Sequence, residues 1–454
     1  MDDQAARTIA ELRSEIQRLR AEVDELRAEN RQLREQLEQA QRAAARQAAP
    51  FRRRERQKVA DDARKTPGRR PGHKGHCRRE PPQIDEVHEV TLRCCPGCGG
   101  PIRDVHAVEQ IIEEIPPLRP RVHKVVTYRA TCERCGQVRS RHPLQTSDGQ
   151  GAAKVQLGPR ALALAATLNK VHGLTMRKTC RVLQDMAGLR LTPGGLSQAE
   201  DRAARRLEQE YQALVGMIRG SPAVFADETS WWVGGPGWWL WTFTAPEATV
   251  YRVDQSRGSA VVREVLGDDF AGMLVSDCLS SYDPAPYRKH KCIGHHLRAI
   301  RKAAELPGQQ DQSYLRQWEL LFKSVIVMHG LWREGVIGQE DLANKRQHLE
   351  AWVDQLLMQP RAQSGDARIR NRLRKQRPHL LGCLYEPAAE PTNNRAERSL
   401  RPAVIARKVS CGNKTDRGRR TWQTLASLGR TCCQSGVNVV DYLATRLSLA
   451  PSAG

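Results

Sequence analysis

The sequence predicts a multidomain α+β protein: a helical N-terminus, a cysteine-rich metal module, a helical connector and an α/β core interrupted by helices. Three observations carry this. An apolar heptad opens the chain, two Cys-x-x-Cys pairs follow, and beyond residue 216 short apolar runs ending in Asp alternate with helical periodicity. The 454 residues are enough for several domains, and no uninterrupted apolar run reaches the roughly 18 residues of a membrane span. The charged N-terminus has no signal-peptide core. Thirteen cysteines without the spacing of a small disulfide scaffold point to a reducing cytoplasm, with some thiols on metal. Lys and Arg number 73 against 51 Asp and Glu, a formal charge of +22. An enzyme of small metabolites has little use for such an excess. A protein that binds a polyanion does, because each neutralised phosphate releases counterions.

Residues 1–46 read as a coiled coil. Ile9, Ile16, Val23, Asn30 and Leu37 occupy the a positions, and Leu12, Leu19, Leu26, Leu33 and Ala40 the d positions. β-Branched residues at a with Leu at d favour a parallel pair, and Asn30 fixes its register. A homodimer, or a higher oligomer built on it, is therefore expected. Residues 47–90 form a basic arm, with Arg52, Arg53, Arg54, Arg56, Lys58, Arg64, Lys65, Arg69, Arg70, Lys74, Arg78 and Arg79. Pro67, Gly68, Pro71, Gly72 and Gly75 exclude a long helix in its second half. The arm reads either as a segment that orders on nucleic acid or as a solvated linker.

Residues 91–140 read as a zinc ribbon. Cys95 and Cys98 form one knuckle and Cys132 and Cys135 the other, with glycines that permit the tight turns. Four thiolates complete a closed tetrahedral Zn²⁺ site, structural rather than catalytic. Cys94 is adjacent and can replace Cys95. Residues 111–115 and 122–128 are expected as strands. The connector, 141–215, is helical. A helix over Met176–Ala187, then Gly188, then an N-cap at Thr192 with Pro193 resembles a helix-turn-helix. A small bundle bridging two domains explains the same pattern.

Residues 216–305 form the first part of the catalytic core. Ala223–Ala226 is a strand delivering Asp227. Trp231-Trp232 and Trp238–Thr244 flank a Gly/Pro turn as a hairpin, whose first arm is either separate or the continuation of the strand that carries Asp227. Ala248–Val253 is the next strand, Gly258–Leu266 a helix, and Gly272–Ser276 the strand before Asp277. Three strands, a helix and a strand are the order of a ribonuclease-H-like α/β core, in which both strand-borne carboxylates lie side by side. The clustered tryptophans suit either stacking on bases or hairpin packing. Lys291–Arg298 opens a helix; its Cys292-x-x-His295 pair reads as a metal pair or as a His and Arg face near phosphate. Residues 306–390 are a helical insertion whose run Arg368, Arg370, Arg372, Arg374, Lys375 and Arg377 lines a DNA path or is a solvated face. Residues 391–454 complete the core. There Glu397 begins a helix, as a metal ligand or as the reaching residue of a capping box with Asn394. Two strand-end aspartates and a helical glutamate, Asp227, Asp277 and Glu397, can hold a pair of divalent ions, Mg²⁺ or Mn²⁺, for in-line displacement at phosphate.

Taken together, these residues resemble a transposase of the IS66 family, with a DDE-type catalytic domain. The resemblance runs over nearly the whole chain: the coiled coil, Gly72-His73-Lys74-Gly75-His76, the cysteine knuckles, Asp227-Glu228-Thr229, Ser256-Arg257, Cys292–His295, and most specifically Thr392-Asn393-Asn394-x-Ala396-Glu397-Arg398. Arg407-Lys408 and the closing Gly436–Leu443 stretch match as well. After Asp277 the sequence departs, with Cys278-Leu279-Ser280-Ser281-Tyr282 in place of the more typical Asp-Gly-Tyr-x-x-Tyr. The resemblance implies Asp227, Asp277 and Glu397 as the catalytic triad, terminal inverted repeats and target DNA as partners, companion proteins of the same element, and a place at the bacterial nucleoid. Arg257, His295, Arg395 and Arg398 are candidates to contact DNA phosphates, although an Arg beside Glu397 can equally be its ion-pair partner. Two other classes remain: a non-catalytic zinc-containing DNA-binding regulator, and a ribonuclease-H-like nuclease that cuts without joining.

Overall fold

The computed structural model describes residues 80–147, 155–360 and 363–448, together with Gly72 and scattered positions of residues 15–36. The chain divides into two units, residues 1–116 and 117–454. In the first, every described position from 15 to 36 is helical. Leu19, Val23, Leu26 and Leu33 are exposed there, as a heptad seam is on a single helix. The remaining apolar seam positions, and residues 47–79 of the basic arm apart from Gly72, lie outside the described residues. Around the first knuckle the Cys95 N–H donates to the Gly100 carbonyl and the Gly99 N–H to that of Cys95. Gly99 has a φ of 72°, which a side chain would resist.

The strand expected at 111–115 does not form, and Ile112 and Ile115 are exposed. Its apolar residues sit next to each other instead of alternating, and strand propensity counts only when a ladder partner and a covered face exist. In the second unit no strand forms at 122–128 either, and the first strand there begins at Arg129. Strands β1 (Arg129–Cys132) and β2 (Gly136–Arg139) pair antiparallel around the second knuckle, with Cys132 opposite Gly136.

Helices α1 (Pro159–Ala166), α2 (Met176–Ala187), α3 (Pro193–Arg206) and α4 (Glu208–Arg219) make up the connector. The caps are those the sequence specifies. Helix α2 stops at Gly188 with φ 66°, and the Thr192 hydroxyl accepts the Gly195 N–H at 3.1 Å to open α3. Yet Leu196, Ala199, Ala203 and Ala204 of α3 are buried. Leu162, Leu207, Leu214 and Ile218 join one core with Val224, Trp241 and Phe243 of the sheet. The connector is a bundle that walls the core.

The sheet contains β3 (Ala223–Trp231), β4 (Trp238–Thr244), β5 (Thr249–Asp254), β6 (Met273–Ser276) and β7 (Arg288–Lys291), in the order β5-β4-β3-β6-β7. β3, β4 and β5 form an antiparallel meander, while β6 runs parallel to β3 and β7 parallel to β6. Helix α5 (Ser259–Leu266) connects β5 to β6. β7 is a strand that apolar patterning misses, because its buried residues are Lys289, His290 and Lys291. The tryptophans pack. Trp231 lies 4.8 Å from Trp422, centroid to centroid, and Trp241 stands edge-on to Tyr282.

Helices α6 (Ile293–Ala304), α7 (Ser313–Arg333), α8 (Gln339–Met358) and α9 (Ser364–Lys375) form the insertion, with their own core around Tyr314, Trp318, Phe322, Leu342, Val353 and Ile369. Helices α10 (Asn394–Ser410), α11 (Asp416–Gln434) and α12 (Val439–Ser448) return to the sheet. Helix α11 covers the β5 edge in a regular way. The N–H groups of Thr249, Tyr251 and Val253 donate to the side chains of Thr431, Ser427 and Gln423 at 3.0, 2.9 and 3.1 Å. Four helical residues rise about 6 Å and two strand residues about 6.8 Å, so one helix face can satisfy alternate amides of an edge strand and block further pairing there.

Candidate active site

The sheet brings the two predicted aspartates together. β3 and β6 pair with Phe225 opposite Val275. Continuing that register by two residues sets Asp227 level with Asp277, on strands that lie about 4.8 Å apart. Each carboxylate has one oxygen fixed by a backbone amide. Asp227 Oδ1 accepts the Glu228 N–H, and Asp277 Oδ1 accepts the Leu279 N–H, both at 2.9 Å. Among the described residues, neither Oδ2 takes part in a hydrogen bond.

Glu397 arrives on α10, and the loop before it is docked with care. Asn393 is fully buried. Its side-chain amide donates to the Ala226 carbonyl at 2.8 Å, and its N–H donates to the Cys292 thiol at 3.2 Å. The Ile293 N–H donates to the Pro391 carbonyl, and the Cys292 N–H to that of Ser276. The residues before Glu397 are thus stitched to β3 at the residue before Asp227 and to the end of β6, which leads into Asp277. At the other end of α10, Arg407 reaches Thr229 and Ser230 of β3. The capping box is not made. The N-cap is Asn393, and it forms no side-chain cap bond. Glu397 instead meets Arg298 of α6 at 3.4 Å, an exposed contact of little energy.

The electrostatics follow from burial and like charge. Burial, then the negative charges of Glu228, Asp277 and Glu397, push the Asp227 carboxyl up to about 7. Asp227 therefore feels both other acids. Hard carboxylate oxygens and uncompensated negative charge are the donor set that Mg²⁺ or Mn²⁺ prefers. Among the described residues, no three His, Cys, Asp or Glu side chains are gathered closely enough to grip a metal ion. The donor chemistry fits, and what the arrangement lacks is closure onto one point.

The other predicted residues divide into those at the site and those with internal partners. His295 Nε2 accepts from Arg298 at 2.9 Å, and burial and that Arg push the imidazole below its ordinary range. Arg395 donates to Glu390 at 2.8 Å and covers the Phe225 ring, whereas Arg398 is exposed. Arg257 donates to Glu228 at 2.8 Å and lies 4.2 Å above the Trp239 ring. Within the basic run of α9, Arg372 lies close enough to the Cys278 thiol to oppose the upward push of burial. Arg377 is spent on Glu350 and Asp354. In the knuckles, the amides of Gly97 and Cys98 lower the Cys95 thiol, and those of Cys135 and Arg134 lower Cys132; each turn favours thiolate by itself. Sequence reasoning missed Asn393 and Cys292 as the docking pair. An Asn beside a catalytic candidate and a lone Cys ahead of a helix give no pattern until both are seen to share one hydrogen bond.

A mixed sheet with one carboxylate within its central strand β3, a second just past the end of the adjacent parallel strand β6, and a third acid on a docked helix, defines an α+β protein with an acidic centre. Residues 154–421 match the transposase IS66 family, and the chain belongs to that family. It is 26% identical to the uncharacterized protein y4qI of Sinorhizobium fredii, over 86% of this chain and 76% of that one. It is 25% identical to y4jD of the same organism, over 80% of this chain and 76% of that one. Its function is that of a transposase. No described helix is long and apolar enough to cross a membrane.

Proposed function

We propose that this transposase is a DDE-type enzyme with a ribonuclease-H-like core, which binds the terminal inverted repeats of its element, cuts the DNA strand there and joins the new end to target DNA. The observation that carries the reading is the placement of Asp227 level with Asp277 on adjacent parallel strands, where its part-buried carboxyl feels both Asp277 and Glu397 and is pushed up to about 7. Asp227, Asp277 and Glu397 would hold Mg²⁺ or Mn²⁺. When bound, such ions lower the pKa of an attacking hydroxyl and stabilise the leaving 3′-oxygen.

The chain's own residues supply position. The amides of Glu228 and Leu279 orient the two aspartates, and Asn393 seats the helix that bears Glu397. In the first displacement the oxygen of water forms a bond to phosphorus and the bond to the 3′-oxygen breaks. In the second the oxygen of the freed 3′-hydroxyl bonds to a target phosphorus and gives up its proton, the bond from that phosphorus to the target's own 3′-oxygen breaks, and the displaced 3′-oxygen takes up a proton. His295, Arg298, Arg372 and Arg398 flank the acids and would meet the DNA backbone. The exposed heptad seam supports pairing of two copies, so that two ends meet; the knuckle thiolates of Cys95, Cys98, Cys132 and Cys135 suit structural Zn²⁺. A nucleoid-associated cytoplasmic enzyme working with companion proteins of its element completes the proposal.

The test is a strand-transfer assay on labelled terminal repeats. Cleavage and joining with Mg²⁺ or Mn²⁺, and neither with chelator, are expected. Binding without cleavage would leave only a regulator, and cleavage without joining a nuclease. Deletion of residues 1–46 should reduce paired-end joining more than single-end binding; equal loss of both would count against the coiled coil as the pairing device.

A further inference from the structure

Glu228 stands one residue beyond Asp227 and points to the opposite face of β3, because strand side chains alternate. Its carboxylate is only 3% exposed. A buried carboxylate this close to an acidic site is costly unless it is fully paired, and Glu228 is. The Tyr282 hydroxyl donates to Oε2 at 2.7 Å and the Arg257 guanidinium to Oε1 at 2.8 Å. Tyr282 is itself fully buried. The backbone of Glu228 meanwhile donates to Asp227 Oδ1. One residue thus holds Asp227 through its amide and, through its carboxylate, holds the end of the turn that follows Asp277.

That turn is otherwise mostly self-contained. Leu279 bonds back to Asp277, Tyr282 to Leu279 and Asp283 to Ser280. Its ties to the sheet and the loop beside it are the Tyr282–Glu228 bond, the Ser281 hydroxyl on the Arg257 carbonyl, the buried Lys291 ammonium on the Asp283 carboxylate at 2.9 Å, and the Lys289 ammonium on the Asp283 carbonyl at 3.1 Å. Two of the four run through the Glu228–Arg257 pair, and the other two hold only Asp283, the last residue of the turn.

We infer that Glu228, Tyr282 and Arg257 form a positioning unit that fixes the Asp277 turn against Asp227, and so sets the separation of the two carboxylates for divalent-cation binding. Glu228 is a positioning residue and not a ligand. The inference rests on the metal-dependent reading of Asp227, Asp277 and Glu397. Groups that orient metal ligands typically change metal affinity about 10–100-fold when removed.

The test uses the full chain without DNA and has two readouts: Mn²⁺ binding by electron paramagnetic resonance titration, and hydrogen exchange of the amides of residues 278–283 in chelator. Tyr282→Phe removes one donor and keeps the ring, so Mn²⁺ binding should weaken about tenfold and turn exchange should accelerate, with the rest of the sheet still protected. Arg257→Lys, which keeps the charge and loses the fork, should move both readouts in the same direction by less. If wild type binds Mn²⁺ and Tyr282→Phe binds equally with unchanged exchange, the positioning unit is refuted while the acidic site stands. If wild type and Asp227→Asn both bind no Mn²⁺, the metal reading of the site falls; the exchange arm still decides whether Glu228 holds the turn.

Discussion

Two carboxylates adjacent in sequence, Asp227 and Glu228, live under opposite conditions on the two faces of β3. Glu228 is saturated by a buried hydroxyl and a guanidinium stacked on Trp239. Asp227 faces Asp277 and Glu397 with an upward-shifted carboxyl and one backbone amide as its hydrogen-bond donor among the described residues. The contrast separates support from function. Where a buried charge is balanced it stabilises the fold, and where it is left unbalanced something absent from the chain is expected to balance it.

The comparison breaks most visibly at Glu397. Glu397→Gln keeps the size of the side chain and loses its charge, and no cap bond is at stake. Strand cleavage should fall roughly a thousandfold or more, about 4 kcal/mol, with DNA binding retained in a gel-shift assay. A fully active Gln variant would take Glu397 out of the reaction. On the opposite face, Glu228→Ala should cost about 2–3 kcal/mol in denaturant unfolding, chiefly from the orphaned Tyr282 hydroxyl. Half-exposed Arg257 adds little, since water replaces its partner. An unchanged midpoint would mean that the pairing at Glu228 is without structural weight.

A third buried group resolves the same problem by staying neutral. His290 is fully buried in β7, its ring Nε2 3.1 Å from the Pro391 carbonyl at the start of the loop that docks Asn393. Burial pushes it down to about 4, with the neighbouring His329 and His379 acting the same way. Its folded value lies below the ordinary 6.5, so its contribution to stability is present above pH 6.5 and is lost as pH falls toward 4, where only the unfolded chain takes the proton. The loss amounts to at most about 3 kcal/mol. His290→Gln should flatten that acid limb in thermal unfolding between pH 7 and 4; a limb as steep as that of wild type would assign it to other groups.

Much of this was legible in the sequence because its signals are local. Asp after an apolar run marked both strands of the site, although only β6 ends there and β3 runs on past Asp227 to Trp231 because its second half pairs with β4; Thr192-Pro193 and Gly188 fixed helix termini, and the order of strand, hairpin, strand, helix and strand emerged from apolar runs and a Gly/Pro turn. β7 was not legible, since Lys-His-Lys carries no apolar alternation and is buried only because Asp283, Pro391 and neighbouring elements supply partners. The strands expected at 111–115 and 122–128 failed for the converse reason: apolar residues without a pairing edge. At the site, Asp227, Asp277 and Glu397 could be named from the sequence. Asn393, Tyr282 and Glu228 could not be given roles, because their bonds span residues far apart in the chain.

The sharpest form of the comparison is a pair of stability measurements on the same strand. Asp227→Asn removes an ionised group that the fold disfavours. A carboxyl raised from 3.8 to about 7 is stable as the acid below pH 3.8, and that stability is lost as pH rises through about 7. The Asn variant is spared this loss. At pH 8 in chelator it should therefore be more stable than wild type, by about 1–2 kcal/mol, whereas Glu228→Ala is less stable under the same conditions. With saturating Mn²⁺ the order of wild type and Asp227→Asn should narrow or invert, because only wild type gains the binding energy of the ion. If Asp227→Asn lowers the melting temperature in chelator, Asp227 is a structural residue like its neighbour, and the two faces of β3 do not differ in the way described.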